Sequence, residues 1–337
     1  MHTSSGFNQP QCFHRHGEWS GHVRARLLGF LFPCVSDQWL TALRIGLGTQ
    51  VALYCWSLRT DWQHLFAENN QGWIRRDLLE SVLSTQAPFV PRLGWLITIG
   101  RDLGVNEGAV LSAIWIVLFV AGVALFLGIC CRAVAITAWF LHLCAVKSGL
   151  IMTYGVDNFT TIGLFYLMLA PFPDFYALDH KVMRAPLKDR HLHGLFRRVL
   201  QLHLCVIYFF AGLTKCLGPG WWNGESMWRS LTRAPFNVLP AEFLLSSQWM
   251  LPLAGIMVCI LETGYPFFIW WRRTRLVWLI SVLLMHVGIG IALGLYLFAL
   301  IMIVLNLAAF GPGILWPERI VPESVEAETP PAPSLAT

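Results

Sequence analysis

The chain has 337 residues, of which 56% are hydrophobic and only 13% are charged, and its formal net charge is +5. Soluble domains carry about 25% charged residues, so this composition excludes an ordinary soluble protein and indicates an integral membrane protein. The positive charges lie in separate clusters between apolar segments, which argues against a nucleic-acid partner and for an orientation signal.

Apolar segments follow one another along the chain, and a membrane-spanning helix needs about 20 such residues. The first segment is interrupted by Arg44. The run 276–310 is too long for one crossing, and Gly288, Gly290 and Gly294 offer places to turn. We therefore predict an all-α integral membrane protein with a bundle of about eight transmembrane helices, seven being the alternative. The predicted spans are 39–58, 108–129, 133–151, 158–173, 196–216, 250–271 and two within 276–310.

The distribution of lysine and arginine predicts the orientation. With a cytoplasmic N-terminus, the inner segments hold more of these residues than the outer ones, as the positive-inside rule requires. The chain begins without the pattern of a cleavable signal peptide, so the first span is expected to direct insertion. We predict a cytoplasmic segment over 1–37, a transmembrane domain over 38–316 and a disordered tail over 317–337.

Two segments on the predicted outer side are more than linkers. In 73–83, leucine, isoleucine and valine share one helical face, which is typical of a helix lying in the membrane interface. Residues 225–246 mix apolar and polar side chains and are expected to cap the bundle.

Lys215 closes an otherwise apolar helix, and a turn rich in tryptophan, glycine and proline follows at once. A cation costs free energy in hydrocarbon, so an ionisable residue at this place is a functional-site hypothesis that needs a partner. The alternative is an anchor, in which the aliphatic stem lies in lipid and the ammonium reaches the headgroups.

Depth along the predicted helices suggests which charges meet. With a rise of about 1.5 Å per residue, Arg44 and Glu262 differ in height by roughly one helical turn, whereas Lys215 lies roughly 12 residues of rise from Glu262. We therefore predict a structural ion pair between Arg44 and Glu262, and a different partner for Lys215.

A group of polar residues is predicted to surround Lys215. Gln201, Tyr208 and Lys215 are spaced seven apart and project from nearly the same stripe of one helix. Desolvation in a pocket between helices favours the neutral amine, which can act as a base. Each residue could instead be an ordinary interhelical hydrogen-bonding or packing residue. The predicted outer-face pocket consists of Asp157, Asn158, Gln201, Tyr208, Trp221, Asn223 and Glu225, with Lys215 and His286 as catalytic candidates.

Other chemistries lack their motifs. The sequence contains no hydrolase motif and no phosphate-binding glycine loop. His191 and His193 lie in a basic segment without nearby carboxylate or cysteine ligands, so no metal site is predicted. A transporter remains open, although no inverted repeat supports it.

The chain resembles the HTTM family, the membrane domain shared by vitamin K-dependent gamma-carboxylases and many small bacterial proteins. The resemblance extends over about residues 38–321. Its most specific part is similar to the carboxylase pattern Y-F-x-A-G-x-x-K followed by W-x-x-G-x-S-M. The matching stretches include Leu43-Arg-Ile-Gly-Leu-Gly48, Gly128-Ile-Cys-Cys-Arg132, Tyr154-Gly-Val-Asp-Asn158, Leu169-Ala-Pro-Phe172, Tyr176-Ala-Leu-Asp179, the segment 208–227, His286 and Trp316-Pro-Glu-Arg319.

The resemblance implies a role for Lys215. In the carboxylases the lysine that closes this motif deprotonates reduced vitamin K. The oxygenated quinol then takes a proton from a substrate glutamate, to which carbon dioxide adds. Lys215 occupies the position of that base, and His286 matches a histidine in a family span. Thr214 stands where the animal enzymes have a second lysine, and the resemblance covers the membrane domain rather than the large lumenal domain of the carboxylases.

The resemblance sets the functional expectations. It implies a reduced, vitamin K-like quinone as cofactor, the lipid bilayer and a peptide or protein substrate as partners, and the bacterial inner membrane as location. The sequence leaves open whether the protein is such an enzyme. The alternatives are a non-enzymatic membrane accessory factor for export or maturation of a peptide, and a transporter.

Overall fold

The computed structural model describes residues 24–67, 75–149, 153–183 and 190–317, and within these ranges the chain forms helices and no strand. The predicted all-α membrane fold is therefore confirmed. The predictions for the start of the chain and for the C-terminal tail fall largely on 1–23 and 318–337, which lie outside the described residues.

The helices are named in chain order. Eight of them (α2, α6, α7, α8, α10, α14, α15 and α16) coincide with the predicted spans. The described helices are α1 (24–31), α2 (Gln38–Ser57), α3 (Trp62–Phe66), α4 (Arg76–Gln86), α5 (Leu93–Asp102), α6 (Glu107–Leu127), α7 (Cys131–Ser148), α8 (Gly155–Leu169), α9 (Leu178–Met183), α10 (Arg190–Cys216), α11 (Pro219–Trp222), α12 (Glu225–Thr232), α13 (Ala241–Ser246), α14 (Met250–Phe268), α15 (Arg275–Leu293) and α16 (Tyr296–Phe310).

Four of the described helices, α6, α10, α14 and α15, are long and apolar enough to cross a membrane, and α16 is a shorter apolar helix. On α6, Ile116, Val120 and Val123 are exposed, as expected for side chains that contact lipid. The protein is thus membrane-embedded, while the number of eight crossings stays a prediction.

Helix α2 lies at the centre of one half of the bundle, packed against α6, α8 and α16. Its Trp39, Leu43 and Leu47 are fully buried. Gly48 and Gly122 lie where α2 and α6 cross, and each Cα faces backbone atoms of the other helix. Small residues at such crossings allow the close backbone approach that drives helix association in lipid.

Helices α10, α14, α15 and α16 form the other half of the bundle. The long apolar run turns between α15 and α16 at Gly294, whose φ of 69° is left-handed, and the predicted division into two helices is confirmed. We call the end of the bundle at which α10 ends the Lys215 face, and the end at which α10 begins the Arg197 face.

Short helices cover the Lys215 face. Helices α11 and α12 pack against α14, and α12 also contacts α15. The helix predicted over 73–83 is present as α4, although 73 and 74 lie outside the described residues. It exposes Leu78 and Val82, while Arg76 and Glu80 are buried as an ion pair.

Candidate functional site

Lys215 lies in the last turn of α10 and pairs with a carboxylate on α14. Its Nζ is 2.5 Å from Oε2 of Glu262, and the two side chains are 23% and 9% exposed. The ammonium also lies 5.4 Å from the ring centre of Trp221 in α11, a distance at which a cation interacts with an aromatic face. Three elements therefore hold this cation at the Lys215 face.

The predicted ion pair between Arg44 and Glu262 is wrong. Arg44 instead binds Asp174, with 2.6 Å between Nε and Oδ2, and these side chains are 1% and 0% exposed. The guanidinium also donates hydrogen bonds to the carbonyl oxygens of Leu125 and Phe126 at the end of α6. Asp174 lies in the loop after α8, which folds back into the bundle and carries the carboxylate to a depth that sequence position does not reveal.

The error at Glu262 arose because the ends of α10 and α14 are not level. Gly212, one turn before the end of α10, packs directly against the backbone of Glu262 and Thr263. About three turns of α14 precede Glu262, and about the first two of them extend past the end of α10. They are covered by α11 and α12. Glu262 is consequently level with Lys215 rather than deep in the bundle.

A second polar cluster joins four helices beside this ion pair. The hydroxyl of Tyr208 in α10 lies 2.7 Å from Nε2 of His286 in α15. It accepts a hydrogen bond of 2.8 Å from Nδ2 of Asn306 in α16, whose Oδ1 accepts one of 2.7 Å from the hydroxyl of Tyr265 in α14. The rings of Tyr208 and Tyr265 stack with 4.2 Å between their centres.

Counting donors assigns the proton of His286. Asn306 Nδ2 donates one N–H to the carbonyl of Met302 and the other to the Tyr208 hydroxyl, whose own proton can be donated to Nε2 of His286. With that hydrogen bond, we assign the ring proton to Nδ1. That atom is buried and has no hydrogen-bond partner among the described residues.

The two clusters share two helices. Helix α10 carries Lys215 and Tyr208, and α14 carries Glu262 and Tyr265. Tyr208 lies two helical turns before Lys215 on the same stripe of α10, as its spacing indicates. The structure therefore brings together Lys215, Tyr208, Trp221 and His286 of the predicted set and adds Glu262.

A family comparison bears on these same helices. The sequence model of the HTTM domain matches residues 101–312, more than half of the 337 residues. The chain belongs to the HTTM family. The match contains α10, α14, α15 and α16, and thus both polar clusters described above, whereas α2 with Arg44 precedes it. No curated protein and no solved structure matches the chain.

Other residues of the predicted outer-face pocket lie apart from Lys215. Asn223 and Glu225 are exposed, and Glu225 pairs with Arg229 of its own helix. Gln201 is buried near the Arg197 face, where its Nε2 donates to the carbonyl of Ala309. Asp157 accepts from the backbone N–H of Tyr154 at the start of α8. Asn158 is exposed on the same helix.

Sequence reasoning missed Tyr265 and Asn306. Asn306 is the only strongly polar side chain in α16 (Tyr296–Phe310), and a buried amide in a membrane helix needs hydrogen-bond partners, which was the available signal. Tyr265 gave no comparable signal, because aromatic residues are common in apolar helices. Among the described residues, no three histidine, cysteine, aspartate or glutamate side chains are grouped as metal ligands.

Proposed function

We propose that this HTTM protein binds a reduced quinone at the Lys215 face and uses the Lys215 amine as a base. The proposal applies to this chain the chemistry of the carboxylase lysine whose position Lys215 occupies. The main support for this proposal is the direction in which the Lys215 side chain points. An anchoring lysine extends to the headgroups, whereas Lys215 turns into the bundle towards a nearly buried carboxylate.

Glu262 gives Lys215 a route for its proton. A lysine acts as a base only after its ammonium has lost a proton, so the site needs a group that accepts this proton. Oε2 of Glu262 lies 2.5 Å from Nζ and can accept that proton directly. The amine is then left with a free electron pair, and Glu262 holds the proton until it returns to Nζ or leaves at the exposed edge of the pair.

The surrounding residues fit the chemistry of a quinol. Trp221 presents an aromatic face beside Nζ, suited to stacking against a planar ring. Nδ1 of His286 is a buried donor without a partner among the described residues and can bind a ring oxygen. Tyr208 orients the His286 ring through Nε2. A bound quinol would supply an acidic hydroxyl and reducing electrons.

Quinone retention tests this proposal. The full chain is purified in mild detergent, and quinones that co-purify are identified and quantified by mass spectrometry. Wild type and Arg229→Ala, which removes an exposed cation paired within α12, are expected to retain similar amounts. Trp221→Ala is expected to lose most of the co-purifying quinone, because it removes the aromatic face beside Nζ. No quinone in the wild type, and no quenching of tryptophan fluorescence by an added short-chain naphthoquinone, would overturn the proposal.

One observation favours the accessory function as second candidate. Between α12 and α14 the chain exposes Val238, Phe243, Leu245 and Trp249, each at least half exposed. Such an apolar surface at the rim of a bundle suits docking of another polypeptide as well as contact with lipid. Co-purification of a secreted peptide that depends on Phe243 and Leu245, together with no effect of Lys215→Ala, would select this function.

A further inference from the structure

A cavity of about 250 Å³ opens at the Arg197 face, far from Lys215. Its walls come from the start of α10, from the turn between α14 and α15, and from the end of α16 with the following 312–314. Three arginines line it, Arg197 and Arg198 from α10 and Arg275 from α15, and no aspartate or glutamate is among its described lining residues. We call it the arginine cavity.

Arg198 is held rigidly and keeps donors available. Its guanidinium carbon lies 4.3 Å from the ring centre of Phe30 and 4.8 Å from that of Trp270, and these two rings contact each other. Nε donates to the carbonyl of Phe30, and one N–H of Nη1 donates to Gln201. Since a guanidinium carries five N–H groups, three have no acceptor among the described residues and can bind another one. The two ring contacts and the two hydrogen bonds restrict the orientation of these donors.

Arg275 adds a second guanidinium at the first residue of α15. Its hydrogen bond among the described residues is a long one, 3.3 Å from Nη2 to the carbonyl of Gly313. Four of its five N–H groups are thus available. Arg272 and Arg273 are exposed in the turn between the lining residues Trp270 and Arg275 and add positive charge to this end of the bundle. The site therefore favours an anion with several acceptor oxygens.

The rest of the lining identifies the kind of anion. Val35, Ile269, Phe310 and Ile314 give the same cavity an apolar wall. Trp270 and the exposed Trp271 lie at the end of α14, where interfacial tryptophans are common. A ligand with a charged head and an apolar body, located at the membrane surface, matches both parts. Basic cavities between membrane helices bind anionic headgroups in this way.

We propose that the arginine cavity binds the phosphodiester headgroup of an anionic phospholipid, with Arg198 and Arg275 as its main donors. The acyl chains would then extend along the lipid-facing surface of the bundle. The site is independent of the chemistry proposed for Lys215, because the two lie at opposite ends of α10. According to this proposal, the Arg197 face binds an individual lipid headgroup and is not merely attracted to a charged membrane surface.

Lipid-dependent unfolding tests the proposal. The full chain in uncharged detergent is heated with phosphatidylglycerol, phosphatidylcholine or inorganic phosphate, and Tm is followed by tryptophan fluorescence. Phosphatidylglycerol is expected to raise Tm by several degrees, and the other two are not. The double variant Arg198→Gln/Arg275→Gln should lose the shift, whereas Arg229→Gln at the Lys215 face should keep it.

Several results would overturn the proposal. Equal shifts with phosphatidylcholine would mean that the cavity does not select an anionic lipid, and an equal shift with phosphate would mean a free-anion site. A shift that appears only after residues 318–337 are removed would assign the cavity to the chain's own carboxylates, which begin at Glu318. If the double variant does not fold, native mass spectrometry of the wild type in an equimolar mixture of the two lipids decides. Enrichment of phosphatidylglycerol supports the proposal, and equal occupancy contradicts it.

Discussion

At the scale of single residues, two of the ion pairs between helices and loops of the described bundle differ in exposure. The pair of Arg44 and Asp174 is closed to solvent on both sides, whereas Lys215 keeps 23% of its side chain exposed. A fully enclosed pair is expected to be structural, because neither charge can exchange a proton or meet a ligand easily. The pair of Lys215 and Glu262 is partly open to solvent, so it can exchange a proton and contact a ligand.

Asp174→Ala is expected to destabilise the protein by about 3–5 kcal/mol, since it leaves the Arg44 cation buried without a counterion. The matched control is Glu225→Ala, which breaks the exposed pair with Arg229 and should cost less than about 1 kcal/mol. Denaturant unfolding in detergent measures both. Similar losses for the two variants would contradict the structural role of the enclosed pair.

Glu262→Gln is expected to cost about 1–3 kcal/mol, less than the loss of Asp174, because solvent partly compensates the remaining ammonium of Lys215. The double variant Lys215→Met/Glu262→Gln should recover most of the lost unfolding free energy, because neither charge is then left without its partner. A double-mutant cycle on unfolding free energies measures the coupling. Additive losses would show that the two groups do not interact.

At the scale of helices, the close crossing of α2 and α6 is the most sensitive contact. A Cβ on Gly48 would meet the backbone of Phe126, and one on Gly122 would lie 2.7 Å from the backbone nitrogen of Ala52. Backbone atoms cannot move aside as a side chain can. The two helices would have to separate to admit even one methyl group.

Gly48→Ala is therefore expected to destabilise the protein by about 1–3 kcal/mol through overpacking. Gly288→Ala is the matched control, because no atom lies within 4 Å of the added methyl in α15. It should be neutral or stabilise by up to about 1 kcal/mol through helix propensity. Equal effects of both substitutions on Tm would exclude a special role for the α2–α6 crossing.

The helices could be predicted from the sequence, because each apolar run contains the information for its own helix. The partners of the charges could not be predicted in the same way. Predicting them assumed that helix ends lie level, whereas α14 begins about two turns beyond the end of α10 and reaches Glu262 about three turns from its own start. Asp174 was missed as the partner of Arg44 because it lies in a loop, and the position of a loop residue along the membrane normal cannot be calculated from the helical rise. Lys215 was found because one cation in an apolar helix is conspicuous without any knowledge of packing.

At the scale of the whole molecule, the two ends of the bundle carry different chemistry. The Lys215 face has one half-exposed cation paired with a carboxylate, and the Arg197 face has the arginine cavity. The positive-inside rule predicts that the arginine-rich end is cytoplasmic. The Lys215 face would then lie outside the cytoplasm, where a secreted peptide would be met.

Reporter fusions test this orientation. Alkaline phosphatase, which is active only outside the cytoplasm, is expected to be active when fused after Arg233 and inactive when fused after Arg273. A green fluorescent protein fusion should show the reverse pattern. Activity of the phosphatase at Arg273 alone would invert the predicted topology and place the arginine cavity on the outer side.

Quinol-dependent turnover by variants of Lys215 tests the central claim most directly. Oxygen uptake driven by a soluble naphthoquinol is measured on purified protein, with autoxidation subtracted. Lys215→Ala and Lys215→Arg should both lower the rate by at least about 100-fold, as loss of a general base does, because a guanidinium keeps the charge but holds its proton. Arg229→Ala should retain the wild-type rate. Wild-type activity in Lys215→Arg, or none in the wild type itself, would contradict the assignment of Lys215 as a base.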